Sequence, residues 1–156
     1  MGTVAVSDKC RILLVDDEPI VARKQQAVLE RNGYAVTCAS TGEEAVAAFL
    51  ENEPTAPPFD VVLMDIELGE EVDGTVAAQR ILAYTDVPIV FLTSHTDAET
   101  IARVKGISRY GYVLKTTGDL VLIESIEMAR ELFRSAQLLT RDEKYAELTL
   151  QSLDRK

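Results

Sequence analysis

A chain of 156 residues with 47% apolar residues is long enough for one domain with a sizeable core and a tail to spare. Its formal charge of −10 argues against an electrostatic grip on DNA, RNA or anionic lipid, though not against a cation. No apolar run approaches the roughly 18 residues of a membrane span, the start lacks a signal peptide's basic flank and apolar stretch, and Cys10 and Cys38 make no C-x-x-C pair, so the expectation is a soluble cytoplasmic protein with free thiols.

Residues 1–10 read as an N-terminal extension. The first apolar run, Arg11–Asp16, reads as a strand. A helix follows with Ile20, Ala27, Val28 and Leu29 along it, stopping near Asn32-Gly33. Tyr34–Cys38 is the second strand. Thr41, with Glu44 three residues on, forms a capping box for a helix carrying Ala45, Val46, Phe49 and Leu50, closed off by Pro54, Pro57 and Pro58. Phe59–Asp65 is the third strand, and Asp73-Gly74 opens a helix with Val76, Ala77, Ile81 and Leu82. Val87–Thr93 is the fourth strand, followed by a helix from about Asp97 to Lys105 that stops at Gly106. Tyr110–Leu114 is the fifth strand. The last helix begins near Gly118-Asp119, with Leu120, Ile123, Ile126, Leu132 and Phe133 along its apolar side.

The runs are rich in Val, Ile and Leu with little alternation, as in strands covered on both faces. Five βα units in a row imply an α/β fold, a doubly wound parallel five-stranded sheet with helices on both faces. In such folds the reactive crevice lies beyond the carboxyl ends of the strands. Those ends carry chemistry. The first ends in Asp16-Asp17-Glu18, the third in Asp65, the fourth in Thr93-Ser94, and the fifth leads to Lys115. Three crowded carboxylates repel one another, and a divalent cation relieves this. Hard oxygen ligands suit Mg²⁺. Lys115 adds a positive charge and Thr93 a hydroxyl donor. Such a set suits phosphoryl transfer, where positioning and charge neutralisation do most of the catalysis, and a strand-end carboxylate serves as nucleophile.

Over Arg11 to about Gln137 the chain resembles the response-regulator receiver family of two-component signalling. The resemblance rests on Ile12-Leu13-Leu14-Val15-Asp16-Asp17-Glu18, Val62-Leu63-Met64-Asp65, Asp73-Gly74, Pro88-Ile89-Val90-Phe91-Leu92-Thr93 and Gly111-Tyr112-Val113-Leu114-Lys115. It implies a flavodoxin-like strand order 2-1-3-4-5 and Asp65 as phospho-acceptor. Asp16 and Asp17 become the metal-side acids, joined by the Glu67 carbonyl. It further implies Thr93 and Tyr112 as a switch pair and Lys115 as the phosphate-binding lysine. Glu67 and His95 fall where receivers tune the lifetime of the phosphoryl group. The implied donor is a histidine kinase or phosphotransfer protein. The implied output is a partner or homodimer surface made by the fourth helix, fifth strand and fifth helix. The chain would catalyse only its own phosphorylation and dephosphorylation. The wording around Lys115 resembles receivers joined to sensory-box or histidine-kinase modules.

Lys115 is followed by Thr116, where most receivers have proline and a cis bond. A non-proline cis bond costs about 3–4 kcal/mol, so a trans bond is expected. The loop Leu68-Gly69-Glu70-Glu71-Val72 lacks the proline often found there, and its glutamates read as solvated charge. Residues 138–156 read as a helical tail or linker, with Thr140 and Glu143 placed to cap a fresh helix. Leu139, Ala146 and Leu153 recur every seven residues, short of the three or four heptads that define a coiled coil. The tail is too short for an output domain, so the chain reads as a stand-alone receiver or a piece of a longer protein. Two other readings compete. An aspartyl-phosphate phosphohydrolase of the haloacid-dehalogenase type needs D-x-D, where this chain has Asp65-Ile66-Glu67. A degenerate receiver would serve only as an interaction module.

Overall fold

The computed structural model describes residues 9–69, 72–94 and 97–154, with side chains placed as far as 141. All five expected strands form: β1 (Arg11–Val15), β2 (Ala35–Ala39), β3 (Val61–Asp65), β4 (Ile89–Thr93) and β5 (Tyr112–Leu114). Between and after them lie α1 (Pro19–Arg31), α2 (Gly42–Leu50), α3 (Gly74–Tyr84), α4 (Ala98–Ile107) and α5 (Asp119–Asp154). The strands are parallel in the order β2-β1-β3-β4-β5. Three strands start two residues later than expected. Pro88 has no amide hydrogen for the ladder, and Gly111, at φ +87°, turns the chain just before β5.

Alternation along the central strands sends side chains to two cores. Leu13, Val15, Val62, Met64, Ile89 and Phe91 meet Phe49 of α2, Ala77 and Ile81 of α3 and Val104 of α4. Ile12, Leu14, Val61, Leu63, Val90 and Leu92 meet Leu29 of α1 and Leu122, Ile126 and Ala129 of α5. β1, β3 and β4 are thus covered on both faces. β2 is not: only Ala39 is fully buried there, because the strand order leaves it at the sheet edge.

Helix starts follow their caps. Thr41 Oγ1 accepts from the Glu44 amide at 3.1 Å, but Glu44 reaches back to the amide and hydroxyl of Ser40 rather than to Thr41. Asp73 Oδ1 accepts from the Thr75 and Val76 amides, opening α3. Asp97 caps α4 through the Thr100 amide at 3.0 Å. Four expectations fail. Gly106 does not stop α4, which runs to Ile107; the end is set by Ser108, whose Oγ donates to the Ile89 carbonyl at 2.6 Å and accepts from the Tyr110 amide. Ile20 and Ala27 face solvent, and Ala22, Val28 and Leu29 are the buried side of α1. Leu120 and Leu132 lie off the packed face of α5, whose buried side is Leu122, Ile126 and Ala129. No fresh helix starts at Thr140: α5 is continuous, and Thr140 Oγ1 donates to the Ala136 carbonyl inside it.

Candidate functional site

The ladder delivers the acids. The Asp16 amide donates to the Ala39 carbonyl at 3.1 Å, one step past β1, and Asp16 Oδ1 accepts from the Glu18 amide at 3.0 Å. Pro19, pre-set for the first helical turn, then carries the chain into α1. Asp65 is the last residue of β3, and its Oδ1 accepts from the Glu67 amide at 3.0 Å. Both side chains are buried, with each residue 2% exposed. Asp17 stays exposed, yet carboxylate oxygens of Asp16, Asp17 and Asp65 lie within 4.8 Å of one another.

Lys115 completes the group. Its amide donates to the Thr93 carbonyl at 2.8 Å, extending the β4–β5 pairing by one residue. Its Nζ donates to Asp65 Oδ2 at 2.8 Å and to Asp16 Oδ2 at 3.3 Å. Thr93 is buried at the end of β4, one residue past Leu92, the β-ladder partner of Asp65. Tyr112, at the start of β5, is 36% exposed. Glu67 is exposed, and the Lys115–Thr116 bond is trans, as expected. His95, Glu70 and Glu71 lie outside the described residues.

Burial pushes the Asp65 carboxyl up to about 6, with the Asp16 charge adding to it, while Lys115 and the Glu67 amide pull back. Lys115 is also burdened by burial, but its hydrogen bonds and charge pairing with Asp65 and Asp16 outweigh this and raise it. At neutral pH Lys115 is protonated and Asp65 is mostly ionised. Three carboxylates then face one ammonium, a surplus of negative charge set among hard oxygen donors. That donor set fits a divalent cation such as Mg²⁺.

Two features escaped the sequence. A Cβ on Gly74 would sit 1.9 Å from the Asp65 carbonyl oxygen, so glycine is required where α3 begins against the end of β3. The pair Asp73-Gly74 was legible as a motif, but not this close approach. Arg103 of α4 also donates to Thr75 Oγ1 at 2.7 Å and to Asp73 Oδ2 at 3.2 Å, tying α4 to the start of α3. Nothing in the local sequence signals that pairing, because it spans about thirty residues.

A doubly wound sheet with buried acids and a lysine gathered beyond the carboxyl ends of its strands defines a class of α/β proteins whose ligand crevice lies at that edge. Within that class, residues 12–127 match the model of the response regulator receiver domain, and the chain belongs to that family. It is 31% identical over 129 residues to the transcriptional regulatory protein AruR of Pseudomonas aeruginosa, covering 81% of this chain and 52% of AruR. The chain thus spans about half the length of that curated relative. Among solved structures it is similar to the N-terminal domain of a response regulator/sensory box/GGDEF three-domain protein from Carboxydothermus hydrogenoformans (38% identity, TM-score 0.72, 81% of this chain and 98% of that one). It is also similar to a fusion containing residues 181–211 of the yeast Spc42 trimeric coiled coil (35% identity, TM-score 0.78, 96% and 99% covered). Among the described residues no helix is long and apolar enough to cross a membrane.

Proposed function

We propose that the receiver, residues 11–137, accepts a phosphoryl group on Asp65 from a phosphohistidine of a histidine kinase or phosphotransfer protein. The observation that carries this is the Lys115–Asp65 contact of 2.8 Å with Asp16 and Asp17 gathered beside it. In the transfer an Asp65 carboxylate oxygen forms a bond to phosphorus as the donor's N–P bond breaks, leaving an acyl phosphate and a free imidazole. The Glu67 amide holds the carboxylate's orientation through Oδ1. Lys115, already at the attacking carboxylate, passes its hydrogen bond to a phosphoryl oxygen as negative charge moves there. Thr93, at the neighbouring strand end, offers its hydroxyl to a second. Mg²⁺ held by Asp16, Asp17, Asp65 and the Glu67 carbonyl would supply the remaining neutralisation.

Output follows from the same geometry. Movement of Thr93 towards the phosphoryl group vacates space beside β5 and lets Tyr112, half-exposed at rest, turn inward. This reshapes the α4–β5–α5 face, the proposed partner or dimer surface. Glu67 and His95 are proposed to set the lifetime by controlling water access. The competing phosphohydrolase reading gains nothing from the geometry: Glu67, where that chemistry wants an aspartate, is exposed and offers Asp65 its amide. The test is intact mass after incubation with acetyl phosphate and Mg²⁺. A single phosphoryl adduct that decays slowly and is absent from Asp65→Asn supports the receiver. Absence of any adduct supports a bare interaction module, and rapid phosphate release from many substrates supports the hydrolase.

A further inference from the structure

Helix α4 rests lightly on the domain. Val104 is its single buried residue, whereas α3 beside it buries Gly74, Thr75, Ala77, Ala78 and Ile81. Its carboxyl end is anchored by Ser108, which donates to the Ile89 carbonyl at the start of β4. Its amino end, Ala98, follows shortly after Thr93 at the end of β4. Between the two ends Arg103 reaches across to α3. Its Nη2 donates to Thr75 Oγ1 at 2.7 Å and to Asp73 Oδ2 at 3.2 Å. The Thr75 hydroxyl donates in turn to Asp73 Oδ1 at 2.6 Å, which closes a ring of hydrogen bonds among the three side chains. That ring stands against the acceptor strand. Gly74, between Asp73 and Thr75, donates its amide to the Ile66 carbonyl at 3.0 Å and lies hard against the Asp65 carbonyl. Arg103 therefore fastens a lightly packed helix to the backbone that carries Asp65.

We propose that Arg103 is a positioning residue: it holds α4 in its resting place and thereby sets how readily the Asp65 site takes up a phosphoryl group. This role presupposes the phosphoryl-acceptor reading of Asp65 and adds regulation from outside the acid cluster. In that reading Thr93 moves towards the phosphoryl group, and the pull on the end of β4 passes to the start of α4. Ser108, at the far end of the helix, acts as a pivot. Arg103 resists, because Asp73 and Thr75 are tied to the end of β3 and do not follow. The bridge lowers the population of the phosphoryl-binding arrangement, and the apparent affinity for a phosphoryl mimic falls by the same factor. Linkage makes the effect reciprocal, so a mimic bound at Asp65 loosens the bridge. The sign is opposite to that of charge alone. Arg103 is a cation, and its loss would weaken the binding of an anion if it acted only through its field.

Calorimetric titration of the full chain with beryllofluoride in the presence of Mg²⁺ tests this. Arg103→Ala is expected to bind about fivefold more tightly than the parent, the low end of coupling between sites because the ion pair is partly exposed. Arg103→Lys, which keeps a donor cation, restores most of the parent's affinity. Thr75→Val removes the shared hydroxyl and also tightens binding. The double variant Arg103→Ala/Thr75→Val gains no more than Arg103→Ala, since the same link is broken once. Lys105→Ala takes a cation from the exposed side of the same helix and leaves the affinity unchanged. Where the parent binds, equal or weaker binding by Arg103→Ala, gains that add in the double variant, or an equal gain in Lys105→Ala each overturn the proposal alone. A parent that binds no beryllofluoride overturns the acceptor reading and this proposal together.

Discussion

Asp60 and Asp65 stand five residues apart, one just ahead of β3 and the other at its end, and the protein treats them in opposite ways. Burial pushes both upward. Asp60 answers this with Arg11, whose backbone amide, Nε and Nη2 all donate to it, and its carboxyl is held below the usual range. The same end of the sheet pairs Glu127 with Arg130 and with the Tyr34 hydroxyl, and Glu127 is likewise held low. Asp65 shares a single lysine with Asp16 and ends near 6. The amino ends of the strands are therefore balanced in charge and structural. The carboxyl ends are short of positive charge, and such a deficit marks a site that something else completes.

The comparison breaks first at the chemistry. Asp65→Asn should abolish the phosphoryl adduct, and Lys115→Ala should cut its rate of formation by about tenfold or more, one lost charge-assisted contact in the transition state. Asp60→Asn should leave labelling unchanged. Intact mass after acetyl phosphate and Mg²⁺ checks all three, and chelation should suppress labelling as strongly as loss of Lys115. Next in size is Gly74→Ala. Its Cβ would meet backbone rather than a yielding side chain, so β3 and α3 must separate, at a cost of about 3 kcal/mol or more. Gly106→Ala is the control: nothing lies within 4 Å, the residue is inside α4, and alanine should stabilise by about 0.5–1 kcal/mol. Urea unfolding separates the two.

Elements and strand-end residues were legible in the sequence because both depend on local signals. Val, Ile and Leu runs mark strands, and Thr41, Asp73 and Asp97 cap their helices through amides two or three residues on. Once five βα units are recognised, topology alone brings Asp16, Asp65, Thr93 and Lys115 to one edge. What stayed hidden depends on partners distant in sequence. That β2 would be exposed follows from its place at the edge, not from its composition. Leu132 reads as core by spacing, but two apolar faces overlap along α5, and spacing cannot say which one meets the sheet. Thr140 reads as a helix start because capping residues inside a continuous helix carry the same letters as a true cap.

A third measurement concerns stability. Because the folded state raises the Asp65 carboxyl from 3.8 to about 6, the native protein holds a proton there that the unfolded chain has already lost. This contribution is fully favourable below about 4 and fades as pH rises through 6. At neutral pH the ionised group therefore destabilises the fold by about 2–3 kcal/mol. Asp65→Asn should be more stable than the parent at pH 7 and should flatten the slope between pH 4 and 6. Mg²⁺ should raise the melting temperature of the parent more than that of Asp65→Asn, since a bound cation stabilises by mass action only where its ligands remain. A parent whose stability rises with pH through this window would overturn the charge deficit.

Asp60 supplies the smallest and opposite effect. Its lowered pKa contributes stability that is present above the unfolded value near 3.8 and is lost as pH falls below it. The pair with Arg11 is partly exposed, at 48% and 40% of the two side chains, so solvent screens most of its Coulomb energy. Asp60→Asn should therefore destabilise by about 0.5–1 kcal/mol at pH 7, by progressively less as pH falls below 3.8, and by less as salt is added. Thermal melts of the two asparagine variants across pH should thus move in opposite directions. The buried acid gains from losing its charge because its one cation is shared. The half-buried acid loses, because Arg11 is then left with no acid beside it.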